Sequence, residues 1–335
     1  MNEKGGPPSF EGPLHESRDA AESKRGPEHE KRPTSEIALW IGRHAEKNKP
    51  DKQAEAFTAR GKPVPVEDIT DQMIELAPQG VVNARGKSVP ENAKNAVAYG
   101  GPRIRSRQTA GLIMAGAHLD LADDAGAQEM IDQINRESGV KVGTRVGTDQ
   151  RLDFVLIGIY GERVESEYAA GRLMSYLINH SDEDAEAAGD TESTTYSRAA
   201  SGVAELVLRY VNASPRWDAI VAEHKKEGDD VGEVLQRFLG THQSVGESFL
   251  AKIIEVTKGE EERDRFIAAV NDSGFGFAEG FQLRIQNHGK SSEPSIHISY
   301  IKNGADGKEQ FRFEEDLDRE LLERIAQQTE LAEAA

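Results

Sequence analysis

The stretch Glu36-Ile-Ala-Leu-Trp-Ile-Gly-Arg-His-Ala-Glu46 decides the fold class of this chain. Residues 36–42 form a short apolar run, which is typical of a strand buried on both faces of a parallel sheet. Arg43 and His44 follow the run directly. In open α/β sheets, ligands bind beyond the carboxyl ends of the strands. The stretch therefore predicts an α/β domain that carries Arg43 and His44 at a ligand-binding edge.

Apolar runs and amphipathic segments alternate along most of the chain. The apolar runs predict strands at 36–42, 95–99, 152–159, 234–241, 281–285 and 296–301. The other segments predict helices at 78–87, 103–117, 162–178, 195–212, 245–256 and 315–331. This alternation favours a three-layer α/β/α domain, in which helices cover both faces of a mostly parallel sheet.

Composition separates an N-terminal arm from the folded part. Residues 1–35 hold five prolines and thirteen charged residues but only five apolar ones, so they cannot bury enough surface to fold and are predicted to be disordered. The domain is predicted at 36–315 and a helical tail at 316–335. Polar or acidic insertions into the domain are predicted near 48–75, 119–149 and 181–195.

Charge and composition limit the possible partners. The 335 residues carry a formal net charge of −18, which disfavours general binding to nucleic acid or anionic membranes. Cysteine is absent, and we see neither an apolar leader nor an apolar run of about 18 residues. We therefore expect a cytoplasmic protein without disulfides or membrane spans. Its oligomeric state does not follow from the sequence.

Two further strand ends carry the same chemistry as the first. An arginine-rich stretch, 103–107, follows the strand at 95–99 after a Gly-Gly-Pro turn, and His242 follows the strand at 234–241. Guanidinium groups bind phosphate oxygens bidentately, and a neutral imidazole can attack phosphorus. The three strand ends together predict a locally basic pocket for phosphoryl transfer.

The sequence gives little support for a metal site or a nucleotide-binding site. The chain has no His-Glu-x-x-His motif, and its remaining histidines show no helical ligand spacing. It also lacks a glycine-rich phosphate loop ending in Gly-Lys-Ser/Thr. We therefore expect no metal and no cofactor, and a small phosphorylated substrate as the partner.

Four stretches resemble motifs of the histidine phosphatase (phosphoglycerate mutase-like) superfamily, in the same chain order. Arg43-His-Ala-Glu46 is similar to its Arg-His-Gly-Glu signature, and Leu76-Ala-Pro-Gln-Gly80 to its Leu-Thr-Pro-x-Gly. Gly101-Pro-Arg-Ile-Arg-Ser-Arg-Gln-Thr-Ala110 is similar to its Ser-Pro-x-x-Arg-Ala-x-Gln-Thr-Ala, and Thr241-His242 to its second-histidine motif. The resemblance spans about residues 37 to 250 and implies the phosphoglycerate mutase-like fold.

The resemblance also implies roles for particular residues. His44 would be the nucleophile that takes up the phosphoryl group, with His242 as its partner. Arg43, Arg105 and His242 would bind the phosphate. Arg103 and Arg107 flank the position that matches Arg105, and we expect Arg107 on the helix surface.

The general acid of the reaction has no clear match. The family takes it from a Leu-x-Glu-x-x-x-Gly stretch or from an Asp after the second histidine, and here Gln243 follows that histidine. Asp153 is the first candidate, one residue out of register, and Glu162 is the second. A phosphatase is favoured over a mutase, because residues 46–49 lack the Ser-x-x-Asn typical of the mutases.

Two other functions stay open. A catalytically silent phosphate-ligand or protein-binding module would keep the basic residues but lack a working acid. A serine hydrolase would use Ser244, because His242-Gln-Ser-Val-Gly246 resembles the Gly-x-Ser-x-Gly nucleophile elbow, with His288 or His297 completing a triad.

Overall fold

The computed structural model describes residues 33–87, 95–116, 146–289 and 293–327, together with the isolated residues Glu129 and Asp132. The predicted disordered arm, apart from its last three residues, lies outside the described residues. So does most of the predicted insertion at 119–149.

Seven strands form one sheet in the described part of the chain, in the order β3-β2-β4-β1-β5-β6-β7. In chain order they are β1 Ser35–Arg43, β2 Asn95–Gly100, β3 Val146–Thr148, β4 Val234–Thr241, β5 Gly280–Asn287, β6 Ser295–Asn303 and β7 Glu309–Leu317.

The helices of the described residues lie between these strands in the chain, except for the last, which follows β7. They are α1 Pro50–Ala59, α2 Pro78–Arg85, α3 Ile104–Gly116, α4 Gly158–Ala169, α5 Leu173–Ala187, α6 Tyr196–Glu227, α7 Val245–Lys258, α8 Glu260–Ala269 and α9 Arg319–Ala326. Short 3₁₀ turns lie at Val66–Asp68, Asp71–Met73 and Gln150–Leu152.

The α/β class is confirmed, but the sheet is mixed. Strands β3, β2, β4 and β1 run parallel to one another. Strands β5, β6 and β7 continue the sheet in antiparallel pairings. A mostly parallel sheet is therefore not confirmed, because the late strands are joined by short connections that return the chain antiparallel to itself.

Residues of β1 pack into two different hydrophobic clusters. Ile37, Leu39 and Ile41 belong to a cluster with buried residues of α6 and α7. Trp40 packs against a second cluster, which holds residues of α2 and α3. Since successive residues of a strand point to opposite faces, helices cover both faces of the sheet at β1.

The parallel half of the sheet sets the position of the site. Arg43 pairs with Thr241 at the ends of β1 and β4, and Gly100 pairs with Gly240 at the ends of β2 and β4. The residues that follow all three strands therefore meet at one edge, as the sequence predicts.

The predicted strand at 152–159 is wrong. Its backbone bonds go to the segment before α6: Thr194 N donates to Val155 O (2.7 Å), Val155 N to Thr194 Oγ1 (2.9 Å) and Ile157 N to Ser193 Oγ (2.8 Å). The run is apolar because Leu152 and Phe154 enter the core. Burial therefore follows from packing under a loop, not from a sheet.

The helical segments also end at different places from those predicted. The helix predicted at 162–178 is two helices, α4 and α5, separated at Gly171 with φ 71°. Helix α5 continues to Ala187, into the predicted loop at 181–195. A glycine with positive φ ends a helix readily, because it has no Cβ to clash.

The C-terminal part differs most from the prediction. Strand β7 was not predicted, although Phe311, Phe313 and Leu317 alternate as buried residues. Helix α9 begins four residues later than expected and buries Leu322 in the same cluster as β1. The segment predicted as a tail thus adds a strand end and a core helix.

Among the described residues, no helix is both long enough and apolar enough to cross a membrane.

Candidate functional site

The two histidines singled out in the sequence lie side by side. His44 follows β1, and its backbone N–H donates to Thr241 O (2.9 Å) at the end of β4. His242 follows Thr241, and the two imidazole centroids are 5.2 Å apart. Both side chains are almost fully buried. The parallel pairing of β1 with β4 is what brings them together.

The hydrogen bonds of His44 determine which nitrogen is free to react. Nδ1 lies 2.7 Å from Ala45 O, and a carbonyl can only accept, so Nδ1 carries the proton. The lone pair is then on Nε2, which accepts from Arg105 Nε (3.2 Å). Burial and the neighbouring Arg105 charge hold the pKa of His44 well below its ordinary value. His44 is therefore a neutral imidazole with Nε2 directed at a guanidinium.

His242 is also held neutral. Burial, followed by the neighbouring His44 imidazole and the positive charge of Arg103, holds its pKa well below the ordinary value. Its Nε2 lies 3.4 Å from Asp153 Oδ1, but neither ring nitrogen has a hydrogen bond of good geometry. One of these buried nitrogens is available to an incoming oxygen atom.

An acidic residue that the sequence reasoning missed sits among the cations. Arg105 Nη2 donates to Asp71 Oδ2 (2.8 Å), and Arg105 Nη1 donates to the Asp71 carbonyl (2.7 Å). Lys47 Nζ is 2.9 Å from Asp71 Oδ1, and Arg103 Nη1 is 3.2 Å from Oδ2. The carboxylate thus occupies the position of an anion between three cations.

These cations keep Asp71 ionised. Partial burial alone would raise its pKa, but hydrogen bonds and charge from Arg105 and Lys47 outweigh burial and lower the pKa far below the ordinary value. Asp71 is therefore unsuited to donating a proton. Its segment looked like a polar excursion, and only the path of the chain back over the strand ends brings it into the site.

Arg43 is anchored beside the histidines. Its Nη1 donates to Phe275 O (2.6 Å), and its guanidinium carbon lies 4.6 Å from the centroid of the Phe277 ring. It also interacts with the Tyr168 hydroxyl. Its Nε is buried without a hydrogen-bond partner in the structure. A buried guanidinium N–H of this kind can serve an anionic ligand.

Helix α3 holds in place the loop after β1 and the segment before α2. Ala45 N donates to Thr109 Oγ1 (2.9 Å), and Leu76 N donates to Gln108 Oε1 (3.0 Å). A Cβ on Gly80 would lie 2.1 Å from Glu46 O, so only glycine allows α2 to approach the loop after β1. Three of the quoted motifs therefore contact one another through these bonds.

The two carboxylates predicted as general acids lie in different places. Asp153 is partly buried against Arg103, with Oδ1 3.3 Å from Arg103 Nε, and it also accepts from Phe154 N (2.9 Å). Glu162 is exposed on α4 and does not line the cavity. Glu165, one helical turn further on, does line it. The spacing of Gly161, Val164 and Tyr168 on one helix face was the signal that could have selected Glu165 over Glu162.

A cavity of about 490 Å³ opens at this edge of the sheet. Its lining residues are Arg43, His44, Lys47, Asp71, Arg103, Arg105, Phe154, Leu156, Val164, Glu165, Tyr168, Leu173, His242, Gln243 and Phe277. Four of these carry a positive charge and two a negative charge. The cavity is therefore locally basic in a chain of charge −18, as the sequence predicts. Arg107 is not among the lining residues.

The geometry does not assemble a serine hydrolase. Ser244 is fully buried in a left-handed conformation (φ 77°), and its Oγ has no hydrogen-bond partner. His288 follows Asn287, which pairs with Ser35 at the opposite end of β1 from His44, about 26 Å along the strand. His297 is held by Asp316 (2.9 Å) on β7. Neither histidine reaches the serine.

A group of potential metal ligands lies away from the site. In the described part of the chain, His224, Glu227 and Asp229 have ligand atoms within 4.8 Å of one another at the end of α6. The two carboxylates are exposed, and such groups commonly lie close together without a metal.

Glu247, behind Arg43, has an unusual environment. It is fully buried on α7, accepts a bond from Phe275 N (2.7 Å), and leaves Oε2 without a partner. Burial raises its pKa to about 7, against an ordinary value of 4.5. The folded state therefore binds this proton more tightly than the unfolded state, so Glu247 lowers the stability as the pH rises from about 4.5 to about 7.

Glu247→Gln is expected to stabilise the protein at pH 8 and to change little at pH 4.5. The gain at pH 8 should be on the order of 3 kcal/mol, since one pKa unit corresponds to about 1.4 kcal/mol. Urea unfolding at both pH values measures it. Glu255→Gln is the control, and it should destabilise the protein at pH 8. Hydrogen bonds from Lys252 and Arg263 outweigh burial and lower the pKa of Glu255, so its ionised form stabilises the folded state. A Glu247→Gln effect that is equal at both pH values would contradict the assignment.

Comparison with known proteins provides no family. No protein-family model matches the chain, and no curated protein matches it. Among solved structures, the chain is similar to one titled "Mycobacterial hydrolase 1", at 13% sequence identity and a TM-score of 0.37, over 75% of this chain and 92% of that chain. A TM-score this low carries no inference about fold or activity.

Proposed function

We propose that this chain is a phosphomonoester hydrolase of the histidine phosphatase superfamily, acting through a phosphohistidine on His44. One observation carries the proposal. A neutral imidazole whose tautomer is set by Ala45 O presents Nε2 to the buried guanidinium of Arg105, with His242 beside it. An unprotonated imidazole nitrogen beside positively charged side chains is the arrangement that in-line attack on phosphorus requires.

The proposed reaction has two steps. His44 Nε2 attacks phosphorus, the P–N bond forms, and the P–O bond to the organic group breaks as its oxygen gains a proton. Water then attacks phosphorus and gives a proton to the carboxylate that protonated the leaving oxygen, the P–N bond breaks, and phosphate leaves while His44 returns to the neutral form. Arg43, Arg105 and His242 bind the phosphoryl oxygens in both steps, as arginines can supply the positive charge.

The phosphate takes the place of the Asp71 carboxylate in this proposal. The Asp71 carboxylate already accepts a hydrogen bond from the Arg105 guanidinium. It therefore acts as an internal anion that the substrate must displace. Exchange of one anion for another keeps the buried Arg105 paired throughout, which avoids the cost of an isolated buried charge.

The proton for the leaving oxygen comes from Asp153 or Glu165. Asp153 contacts His242 but is fixed by Arg103, whereas Glu165 faces the cavity. Loss of the true acid matters more when the leaving alcohol is a poor leaving group. One of the variants Glu165→Gln and Asp153→Asn removes the acid. We expect that variant to slow the hydrolysis of benzyl phosphate by about 10²-fold and the hydrolysis of phenyl phosphate much less.

Steady-state kinetics on both esters measures this difference, and Glu162→Gln is the matched control on the exposed face of α4. An equal slowing of both esters by each variant would show that neither carboxyl acts as the acid.

The second candidate function is a phosphate-binding module without turnover. The pairing of Asp153 with Arg103 favours it, because a carboxyl held in this way is less available as an acid. The two functions predict the same ligand and differ in hydrolysis.

The test of the proposed function is hydrolysis of phenyl phosphate in EDTA, with orthovanadate as competitor. Turnover that survives the chelator and is competitively inhibited by vanadate is the expected result. Vanadate binding without turnover would favour the silent module. Neither binding nor turnover would overturn both functions.

A further inference from the structure

We infer that the organic part of the substrate is an aromatic ring held between Tyr168 and Phe277, and that the substrate carries a single phosphoryl group. This inference rests on the proposed function and adds the substrate class to it. The two rings would determine specificity, whereas the arginines and histidines bind the phosphoryl group.

Exposed aromatic side chains are concentrated at this cavity. Eight large hydrophobic side chains are exposed in the described part of the chain, and Tyr168 (51% exposed) and Phe277 (42%) are the two aromatic ones among them. Both line the cavity at the histidines. Exposed aromatic surface is costly in water, and it is commonly retained where a ligand covers it.

The two rings stand next to the phosphate-binding groups. The Phe277 centroid is 6.4 Å from the His44 centroid, and the Arg43 guanidinium lies over the same ring. Tyr168 approaches Arg43 through its hydroxyl. An ester whose phosphorus sits at His44 Nε2 would therefore have its organic group beside these rings. Offset or edge contacts between aromatic rings fit such a spacing.

The rest of this wall is apolar except for Glu165 on α4. Phe154, Leu156, Val164 and Leu173 line the cavity on the side of α4 and α5. A sugar or glycerol phosphate would place hydroxyl groups against these side chains without hydrogen-bond partners, which is unfavourable. A flat apolar group buries the same surface at no such cost.

The charge of the cavity matches one phosphoryl group. The four lining cations exceed the two lining carboxylates by two charges, and a phosphomonoester carries a charge of about −1.5 to −2 at pH 7. Lys47 and Arg103 are already paired with Asp71, and Arg103 with Asp153 as well. These cations and Arg105 therefore surround one anion position, the one that the phosphoryl group takes in the proposed function.

Leaving-group chemistry agrees with an aryl ester. A phenol has a pKa of about 10, as in tyrosine, whereas an alkyl alcohol lies closer to water at about 15.7. A phenolate therefore leaves with little help from an acid. This suits a site in which Asp153 is tied to Arg103 and Asp71 is ionised.

Calorimetric titration with non-hydrolysable phosphonates tests the inference without requiring turnover. We expect the full chain to bind benzylphosphonate about tenfold more tightly than methylphosphonate, the gain expected of a ring contact and its buried area. The preference should fall below about threefold in the double variant Tyr168→Ala, Phe277→Leu. Val256→Ala, an exposed apolar residue of α7 outside the cavity, is the matched control and should keep the preference.

Inorganic phosphate as a third titrant separates this inference from the proposed function. If phosphate binds but both phosphonates bind equally, or if the preference survives the double substitution, the aromatic substrate class is wrong and the proposed function stands. If none of the three ligands binds, the phosphate site and the substrate class are both wrong. Taking the ratio of two ligands within each variant removes any general effect of Phe277→Leu on Arg43.

Discussion

His44→Ala is expected to lower kcat/KM for phenyl phosphate by at least about 10³-fold, because the variant lacks the atom that forms the bond to phosphorus. His44 Nε2 is the unprotonated nitrogen of a neutral ring, and no other imidazole nitrogen of the site combines that state with a bond from a guanidinium. The variant should still bind inorganic phosphate, because Arg43 and Arg105 remain.

Steady-state kinetics in EDTA measures the loss. To test for a phosphoryl group on His44, the enzyme is mixed with an ester labelled in its phosphoryl group and the reaction is stopped rapidly without acid. The control is His297→Ala, a half-buried histidine of β6 that is bonded to Asp316 away from the cavity, and it should retain wild-type activity. Turnover at the wild-type rate by His44→Ala would exclude the phosphohistidine mechanism. Circular dichroism of the variant shows whether a loss of activity reflects unfolding.

Arg105→Lys is expected to lower kcat/KM by about 10²-fold, although the charge is retained. The guanidinium uses three donors at once: Nε to His44 Nε2 and the two Nη atoms to Asp71. A lysine ammonium cannot reproduce this planar fork. We expect the loss mainly in kcat, because the fork binds the equatorial oxygens that carry charge in the transition state.

Kinetics and vanadate titration on the same preparation measure the two parts of this effect. Arg107→Lys is the matched control two residues away, since Arg107 is directed to Pro102 O and does not line the cavity. Asp71→Asn should instead lower the dissociation constant for vanadate, because it removes the anion that competes with vanadate for Arg105. Equal losses in Arg105→Lys and Arg107→Lys would indicate a structural role for the whole stretch.

The sequence predicted the edge of the sheet better than the sheet as a whole. The apolar run at 36–42 and the strand at 234–241 correspond to β1 and β4, which pair in parallel. Their burial on both faces makes such runs easy to recognise. The antiparallel pairings of β5, β6 and β7 were not predicted, since strand direction depends on how connections return and not on local composition.

The misassigned segments share one cause. The run at 152–159 and the segment around Leu317 both contribute buried residues to the core. Hydrophobic periodicity and composition alone do not show whether such a segment is a strand, a helix or a loop. The first is a loop whose backbone is bonded to residues 193–194. The second contains a strand and a helix, and its charged residues concealed the alternation of Phe311 and Phe313.

The sequence by itself determined which chemistry reaches the edge of the sheet. Arg43 and His44 come directly after one strand and His242 directly after another, so chain order and strand direction suffice to bring them together. Only the tertiary structure decided what surrounds them. Asp71 reaches Arg105 from a segment that contains no strand. Glu165 lines the cavity, whereas Glu162 does not. Strand ends are placed by local pattern and backbone pairing, whereas charge pairs between distant loops depend on the path of the folded chain.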